Sequence, residues 1–256
     1  MPKVRLQKAL ANAGVASRRA VEEMAVEGRI TVNGEPVTAL PCFVDLSQDE
    51  VRVDGRPIRP KRGNAARRTY ILLNKPRGVV CTQRDPEGRP RAVDLVPDLD
   101  KRVYCVGRLD KDSTGLVLLT NDGELTERLT HPRYGVTKTY VVQVDGRVGG
   151  ADVEQLRRGT HLDGRRASAS GVKVLRRGRQ NSLLEIRLAE GRNREIRRML
   201  ARLGHKVRRL KRTAIGPVTD KGLKIGSFRV LASDEVARLR RAARPAGGRR
   251  ERRHGG

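Results

Sequence analysis

The chain has 256 residues, enough for one mid-sized domain and a small one. Lysine and arginine number 56 against 29 acidic residues, and the formal charge of +27 points to a polyanionic partner, phosphate backbones ahead of membrane surfaces. No apolar run approaches the roughly 18 residues of a spanning helix, no CxxC or histidine cluster suggests zinc, and with no Trp, two Phe and four Tyr the chain lacks the rings of a stacking-type single-strand binder.

Lys3, Arg5 and Lys8 sit in a short polar segment rather than before an apolar stretch, so no signal peptide is expected. Leu6, Ala9, Leu10 and Ala13 recur at helical spacing, and Gly14 can end that helix. Ser17 is a good N-cap for a second helix over roughly 18–27, with Gly28 just past its end. Arg29-Ile30-Thr31-Val32, Asn33-Gly34 and Glu35-Pro36-Val37 read as strand, tight turn and strand. The alternation of Glu50-Val51-Arg52-Val53 before Asp54-Gly55 reads as a last strand and turn. Residues 1–60 are therefore predicted to form a small α-then-β module. Arg18 and Arg19 stand in the first turn of its second helix, at the positive end of the macrodipole, where each costs about 0.3–1 kcal/mol. That misplacement suggests another use, because free N–H groups and two guanidinium groups together make a phosphate site. A pair of solvated surface arginines is the plainer alternative.

Residues 61–68 read as a polar, basic linker. From 69 to 232 the chain is strand-rich, with strands predicted at 70–73, 103–106, 116–120, 140–144 and 183–188 among turns and a few helices, an α+β domain. Within 193–204, Ile196, Met199, Leu200 and Leu203 fall at helical spacing and Arg197 lies beside that stripe. A short helix and a tail occupy 233–256; from 238 onward there are eight arginines and one acid, which predicts a disordered polycation. Cys42, Cys81 and Cys105 are far apart and odd in number, which argues for a reducing compartment and for core roles. His131 and His205 read as structural residues or phosphate contacts.

The sharpest segment is Gly107-Arg108-Leu109-Asp110-Lys111-Asp112-Ser113-Thr114-Gly115, a charged loop between two apolar strands, continued by Asn121-Asp122-Gly123 into a helix. A buried strand on each side can hold a loop carboxylate rigidly. The whole segment resembles the signature of the RsuA/RluB-type pseudouridine synthases. Other segments resemble the same family in the same order. Asn74-Lys75-Pro76-Arg77-Gly78 is similar to its early active-site loop, and Asp85-Pro86-Glu87-Gly88-Arg89-Pro90 to a loop of the RluB branch. Lys138-Thr139-Tyr140-Val141-Val142 resembles the strand bearing the active-site tyrosine. Residues 190–199 resemble its third block, and residues 1–60 an S4 RNA-binding module.

The resemblance implies an α+β architecture: a small N-terminal S4 (α-L) module over 1–60, a linker over 61–68, and a catalytic domain over 69–232 built on a mainly antiparallel sheet with flanking helices. It implies isomerisation of a specific uridine to pseudouridine in ribosomal RNA, with the loop at 85–90 pointing to the large subunit. The substrate would be structured RNA or an assembling ribosomal subunit, the compartment the cytoplasm, and the protein a monomer by default. The reaction breaks the N1–C1′ bond and rejoins the base through C5 with no net redox change and no group donor. No cofactor and no metal are therefore expected, and the sequence has no dinucleotide fingerprint, P-loop or metal cluster.

By the same resemblance Asp110 is the nucleophile. Asp110 must be ionised to act, and a neighbouring cation favours the charged form; Arg197 is the family's partner for it. Tyr140 would pack on the uracil and offer a hydroxyl for proton handling. Arg108 would fill the helix space of the displaced nucleotide, since a base within structured RNA must be flipped to be reached. The plain alternatives are a phosphate-binding Arg197 among the ten basic residues of 190–212, a core-facing Tyr140 and a salt-bridged Arg108. Lys8, Ser17, Arg18 and Arg19 in the first module are assigned to RNA binding. So are Lys75, Arg192, Arg194 and Arg198 in the second. Glu195 stands where the family often has Gln and is expected to add a charge near the RNA. Asp112 and Asp122 flank turns, and Asp122 could cap the following helix. Ser113 and Thr114 are expected to make loop hydrogen bonds, because no histidine is placed nearby and Gly-x-Ser-x-Gly is absent. Two rival readings stand beside the enzyme. One is a non-catalytic S4-type RNA-binding or ribosome-assembly protein, against which the intact Arg108-Leu109-Asp110 and Tyr140 argue. The other is the same enzyme class acting on small-subunit or transfer RNA.

Overall fold

The computed structural model describes residues 3–59, 68–97 and 102–244. The chain divides into two compact units, Met1–Arg67 and Arg68–Gly256. The linker expected at 61–68 lies, except for Arg68, outside the described residues, as does the basic tail from 245 onward.

The first unit runs β1 (Val4–Arg5), α1 (Leu6–Asn12), α2 (Arg18–Val26), β2 (Ile30–Val32), β3 (Glu35–Pro36), β4 (Phe43–Val44), β5 (Val51–Val53) and β6 (Arg56–Ile58). The helical spacing read from sequence in α1 becomes core: Leu6, Ala9 and Leu10 are buried, together with Val21 and Ala25 of α2 and with Ile30, Val51 and Val53. Ser17 caps α2, its hydroxyl accepting from the Ala20 amide at 3.1 Å. Asn33-Gly34 turns with both φ positive, 53° and 90°, as a two-residue hairpin requires. Asp54-Gly55 makes a second such turn, with φ of 50° and 74°. The sequence reading ended the module's strands at that turn. The chain instead returns as β6, which pairs antiparallel with β5. Pro57 obscured this strand, but the sheet order β3-β2-β5-β6 puts it at the edge, where a missing N–H is tolerated.

The second unit runs β7 (Tyr70–Lys75), β8 (Tyr104–Val106), β9 (Thr114–Thr120), α3 (Gly123–Thr130), β10 (Lys138–Asp145), α4 (Gly150–Arg158), β11 (Thr160–Leu162), β12 (Arg165–Ala167), β13 (Gly171–Arg177), β14 (Asn181–Leu188), α5 (Glu195–Arg202), β15 (Val207–Ile215), β16 (Val218–Thr219), β17 (Phe228–Val230) and α6 (Ser233–Ala242). Its sheet has the order β13-β14-β10-β15-β9-β7-β17, with β16 on β15 and β8 on β9. The sheet is antiparallel except where β15 runs parallel to β9. Four of the five predicted strands outrun the apolar segments that predicted them, because polar ends such as Asn74-Lys75 and Lys138-Thr139 remain in the ladder, while β8 begins one residue later than expected.

Alternation explains why β7 and β9 read as unbroken apolar runs. Ile71, Leu73, Val117 and Leu119 enter one core, with Ile196, Met199 and Leu200 of α5 and Leu156 of α4. Leu72, Leu116 and Leu118 point the other way, into a second core with Leu125 and Leu129 of α3 and Val236 and Leu239 of α6. A sheet covered on both faces needs apolar residues at every position of its central strands. Helix α6, expected beyond the domain's end, is thus part of this unit, because its apolar stripe closes the second core. Asp122 ties the same layer together. It caps α3 by accepting from the Leu125 amide at 3.1 Å and also accepts from the Tyr70 hydroxyl at 2.8 Å and from Arg240 at 2.8 Å.

The parallel junction of β9 and β15 depends on Gly115, which has φ of 107° and lies in register with Arg212. A Cβ built there would overlap the Arg212 carbonyl oxygen and stand 2.6 Å from its amide nitrogen. Gly135, also at positive φ (59°), faces open space. Gly115→Ala is therefore expected to lose several kcal/mol or fail to fold, whereas Gly135→Ala loses about 1–2 kcal/mol. Urea denaturation of both variants checks this, and equal losses would show that the close approach is not needed.

Candidate active site

The charged loop leaves β8 at Gly107, whose φ of 72° turns the chain, and enters β9 at Thr114. Leu109 plugs the loop into the first core. The Ser113 amide donates to the Asp110 carbonyl at 3.1 Å, closing a turn, and the Gly78 amide donates to the Lys111 carbonyl at 2.8 Å from the neighbouring loop. Fastened at these points, the loop presents Asp110 half-buried at the edge of a pocket of about 140 Å³.

Helix α5 brings the counter-charge. Its apolar stripe buries Ile196, Met199 and Leu200, which leaves Arg197 at the edge of the core, 11% exposed. Its Nε lies 3.6 Å from Asp110 Oδ2 and its Nη2 lies 3.0 Å from Asp112 Oδ2. Nη2 also donates to the Ser113 hydroxyl at 3.2 Å, and Nη1 to the Val207 carbonyl at 3.4 Å. Arg194, assigned from sequence to RNA, joins the same cluster, with Nη1 at 3.6 Å from Asp110 and 3.5 Å from Asp112. It does so from a left-handed backbone, φ 49°, just before the helix. The cluster is thus two carboxylates between two arginines. Asp112, read from sequence as a turn residue, makes the shorter contact with Arg197.

Across the pocket stands Tyr140, 7% exposed, in β10. Alternation places Lys138 on its side of the sheet, and the register puts Arg212 of β15 directly opposite it. Lys138, Tyr140 and Arg212 all line the pocket with Arg108, Asp110 and Glu195. The Lys138 amine is pushed down to about 8, first by burial and second by the Arg212 guanidinium. Neither Lys138 nor Arg212 was singled out from sequence as a site residue. The available signal was parity with Tyr140, two positions on from Lys138.

Other expected residues fall into different surroundings. Arg108 is exposed and has no ion pair among the described residues, so the salt-bridge alternative is not what the loop provides. Arg18 and Arg19 are exposed on the first turn of α2, and Ser17 and Lys8 are half-buried. Arg198 is held bidentately by Asp163 at 2.7 and 2.6 Å, and Arg192 by Glu190 at 2.8 Å. The Asp163 side chain is 79% exposed, so a phosphate could take its place. Lys75 requires a correction. Expected on the RNA side, it is wholly enclosed, and its Nζ donates to the carbonyls of Pro76 at 2.9 Å and Val79 at 2.8 Å. Burial lowers its amine, against the pull of Cys81, Asp110 and Asp112. It ties down a loop rather than meeting RNA. Glu195 requires another. It adds no surface charge, being 4% exposed with its carboxylate accepting from the Arg192 amide at 3.0 Å. His205 bridges the Asp145 carbonyl at 3.0 Å and Asp152 at 3.2 Å, a structural role as expected. No group of three or more His, Cys, Asp or Glu among the described residues could hold a metal ion.

Residues 69–202 match the family model of RNA pseudouridylate synthases, and residues 4–40 match the S4 domain. The chain is 43% identical to a protein of Aquifex aeolicus named as an uncharacterized RNA pseudouridine synthase, over 94% of this chain and 96% of that one. It is 41% identical to the ribosomal large subunit pseudouridine synthase B of Bacillus subtilis, over 93% and 96%. A crystal structure of a pseudouridylate synthase superposes with a TM-score of 0.63 at 31% identity, over 92% of this chain and 99% of that chain.

Burial raises the Glu195 carboxyl above its ordinary value of 4.5. A group raised on folding favours the folded state below its unfolded value and loses that contribution as pH rises through the folded one. Glu195→Gln keeps an acceptor for the Arg192 amide and removes the charge. The variant is expected to unfold at a higher temperature than the parent at pH 8, with the gap closing as pH falls toward 4.5. A gap that does not change with pH, measured by thermal unfolding, would mean that this carboxylate carries no burial penalty.

Proposed function

The chain belongs to the RNA pseudouridylate synthase family, and on that premise we propose that it isomerises a uridine of large-subunit ribosomal RNA, with Asp110 as its nucleophile. The observation that carries this reading is the setting of Asp110: a loop carboxylate bordering a pocket, 3.6 Å from each of two arginines and facing a buried tyrosine. The N1–C1′ bond breaks and a C5–C1′ bond forms between the same base and ribose; the C5 hydrogen leaves as a proton and N1 takes one up. No electron donor or acceptor is consumed. Asp110 serves either by adding to the base or by supporting departure of the uracil at the ribose. Both uses require a carboxylate pressed against the nucleoside in a fixed orientation, which Arg197 and Arg194 supply.

Tyr140 packs against the inserted base, and Arg108, exposed two residues before Asp110, takes the space that the flipped nucleotide leaves. The S4 module holds structured RNA through Arg18 and Arg19 at the N-terminus of α2, and Arg192 and Arg198 take backbone phosphates. The names of the Bacillus subtilis relative and of a Pseudomonas aeruginosa relative, 43% identical over 91% of this chain and 60% of that one, support the large subunit as the source of the substrate. A monomer working in the cytoplasm fits this reading.

Asp110→Asn tests it. Asn is isosteric but neutral, and turnover of large-subunit transcripts is expected to vanish with RNA affinity nearly intact. Residual activity within about tenfold of the parent, a barrier change of only ~1.4 kcal/mol, would remove Asp110 from the role. The double change Arg18→Glu with Arg19→Glu is expected to leave thermal stability equal or higher and to weaken binding to structured RNA sharply. Turnover of bound substrate should change little. Parent-like affinity at physiological salt would show that this helix end does not recognise RNA.

A further inference from the structure

Opposite the Asp110 cluster the pocket has a second set of cations that the reading above does not use. Arg212 is 5% exposed. Its Nε is spent on the Leu116 carbonyl at 2.6 Å, while its Nη2 is buried with no hydrogen-bond partner. Lys138, half-buried on the adjacent strand, lines the same pocket. Neither has a carboxylate partner among the described residues. Desolvated cations without counter-charge are unfavourable, and the fold goes to some length to keep these two. Gly115 lets β9 approach the Arg212 backbone closely. The Leu116 carbonyl then fixes the guanidinium, and the β10–β15 register sets it beside Tyr140.

We propose that Lys138 and Arg212 form an oxyanion site for the target base, binding the uracil ring oxygens and taking up the negative charge that the base gains during the reaction. The inference rests on the uridine isomerisation proposed above. When the N1–C1′ bond breaks, its electron pair stays with the base, which becomes a monoanion with charge shared among N1, O2 and O4, while the electron-deficient C1′ faces Asp110. Addition of Asp110 to the ring instead would also place negative charge on a ring oxygen. Formation of the C5–C1′ bond, loss of the C5 proton and protonation of N1 return the base to neutrality. Preoriented donors aimed at charge that develops only during reaction act on rate more than on binding. The base is the better occupant than a phosphodiester. A phosphate is tied to the RNA chain on both sides and is met at the rim, where Arg108 and Arg194 are exposed, whereas Nη2 of Arg212 is buried.

The test uses the full chain with Lys138→Met and, separately, Arg212→Lys, measuring RNA dissociation constants, single-turnover rates at saturating enzyme and thermal unfolding. Lys138→Met keeps the stem's packing and removes an unpaired charge, so its unfolding temperature is expected to equal or exceed the parent's. Its RNA affinity should be close to the parent's and its single-turnover rate lower by about a hundredfold. Arg212→Lys is expected to show the same split between rate and affinity; should it fail to fold, the Lys138 result decides. Weaker RNA binding with an unchanged saturating rate would identify a phosphate contact and overturn the proposal, as would parent-like rates and affinities. A parent that forms no pseudouridine would instead overturn the isomerase reading, and this inference with it.

Discussion

A guanidinium nearly nine-tenths enclosed is costly unless negative charge meets it, and much of the second unit is arranged around meeting that demand for Arg197. Its two carboxylate partners come from a loop more than eighty positions earlier in the chain. The match therefore requires that α5 and the β8–β9 loop be held in place independently of each other. Burial of Ile196, Met199 and Leu200 sets the helix. Leu109, the Ser113 turn and the Gly78–Lys111 hydrogen bond set the loop. Lys75, fully buried, fastens the neighbouring loop from beneath. Each device fixes an approach, and together they leave Asp110 bordering a pocket while it stays paired with Arg194 and Arg197.

The sheet supplies the other half of the site. β10 and β15 pack one face on the first core, with Val142 and Val144 beside Tyr140 and Leu210 beside Arg212, and the parallel step between β9 and β15 is what brings Arg212 there. The pocket is consequently bipolar. Carboxylates compensated by arginines stand on the loop-and-helix side, and cations without compensation stand on the strand side. A substrate that develops positive character at a sugar carbon and negative character on a base fits that polarity.

How much of this was legible in the sequence follows from what each signal encodes. Helices α1 and α5 were readable because their apolar spacing is the packing itself, and α2 and the start of α3 because the caps at Ser17 and Asp122 are local events. The Asp110 loop was readable through its resemblance to a known family, and pairing with Arg197 came with it. Three features were not. Lys75 sits in a motif that resembles an active-site loop, but sequence gives no sign that its amine is spent on two carbonyls. Glu195 reads as a surface charge on a helical wheel, and only the tertiary placement of the turn before α5 buries it. Arg212 lies in a strand so rich in Lys and Arg that nothing distinguishes the one side chain that points inward. These are long-range facts, set by strand register and by a glycine nearly a hundred positions away, and periodicity cannot report them.

The central claim is that this chain uses the Asp110 carboxylate to make pseudouridine in large-subunit ribosomal RNA. The most direct measurement is a site-resolved pseudouridine map of ribosomal RNA from cells whose own copy carries Asp110→Asn, with the protein at parent abundance. The account predicts that a large-subunit pseudouridine present in the parent is lost and that small-subunit and transfer RNA are unchanged. A map identical to the parent's, or a loss confined to another RNA, would contradict it.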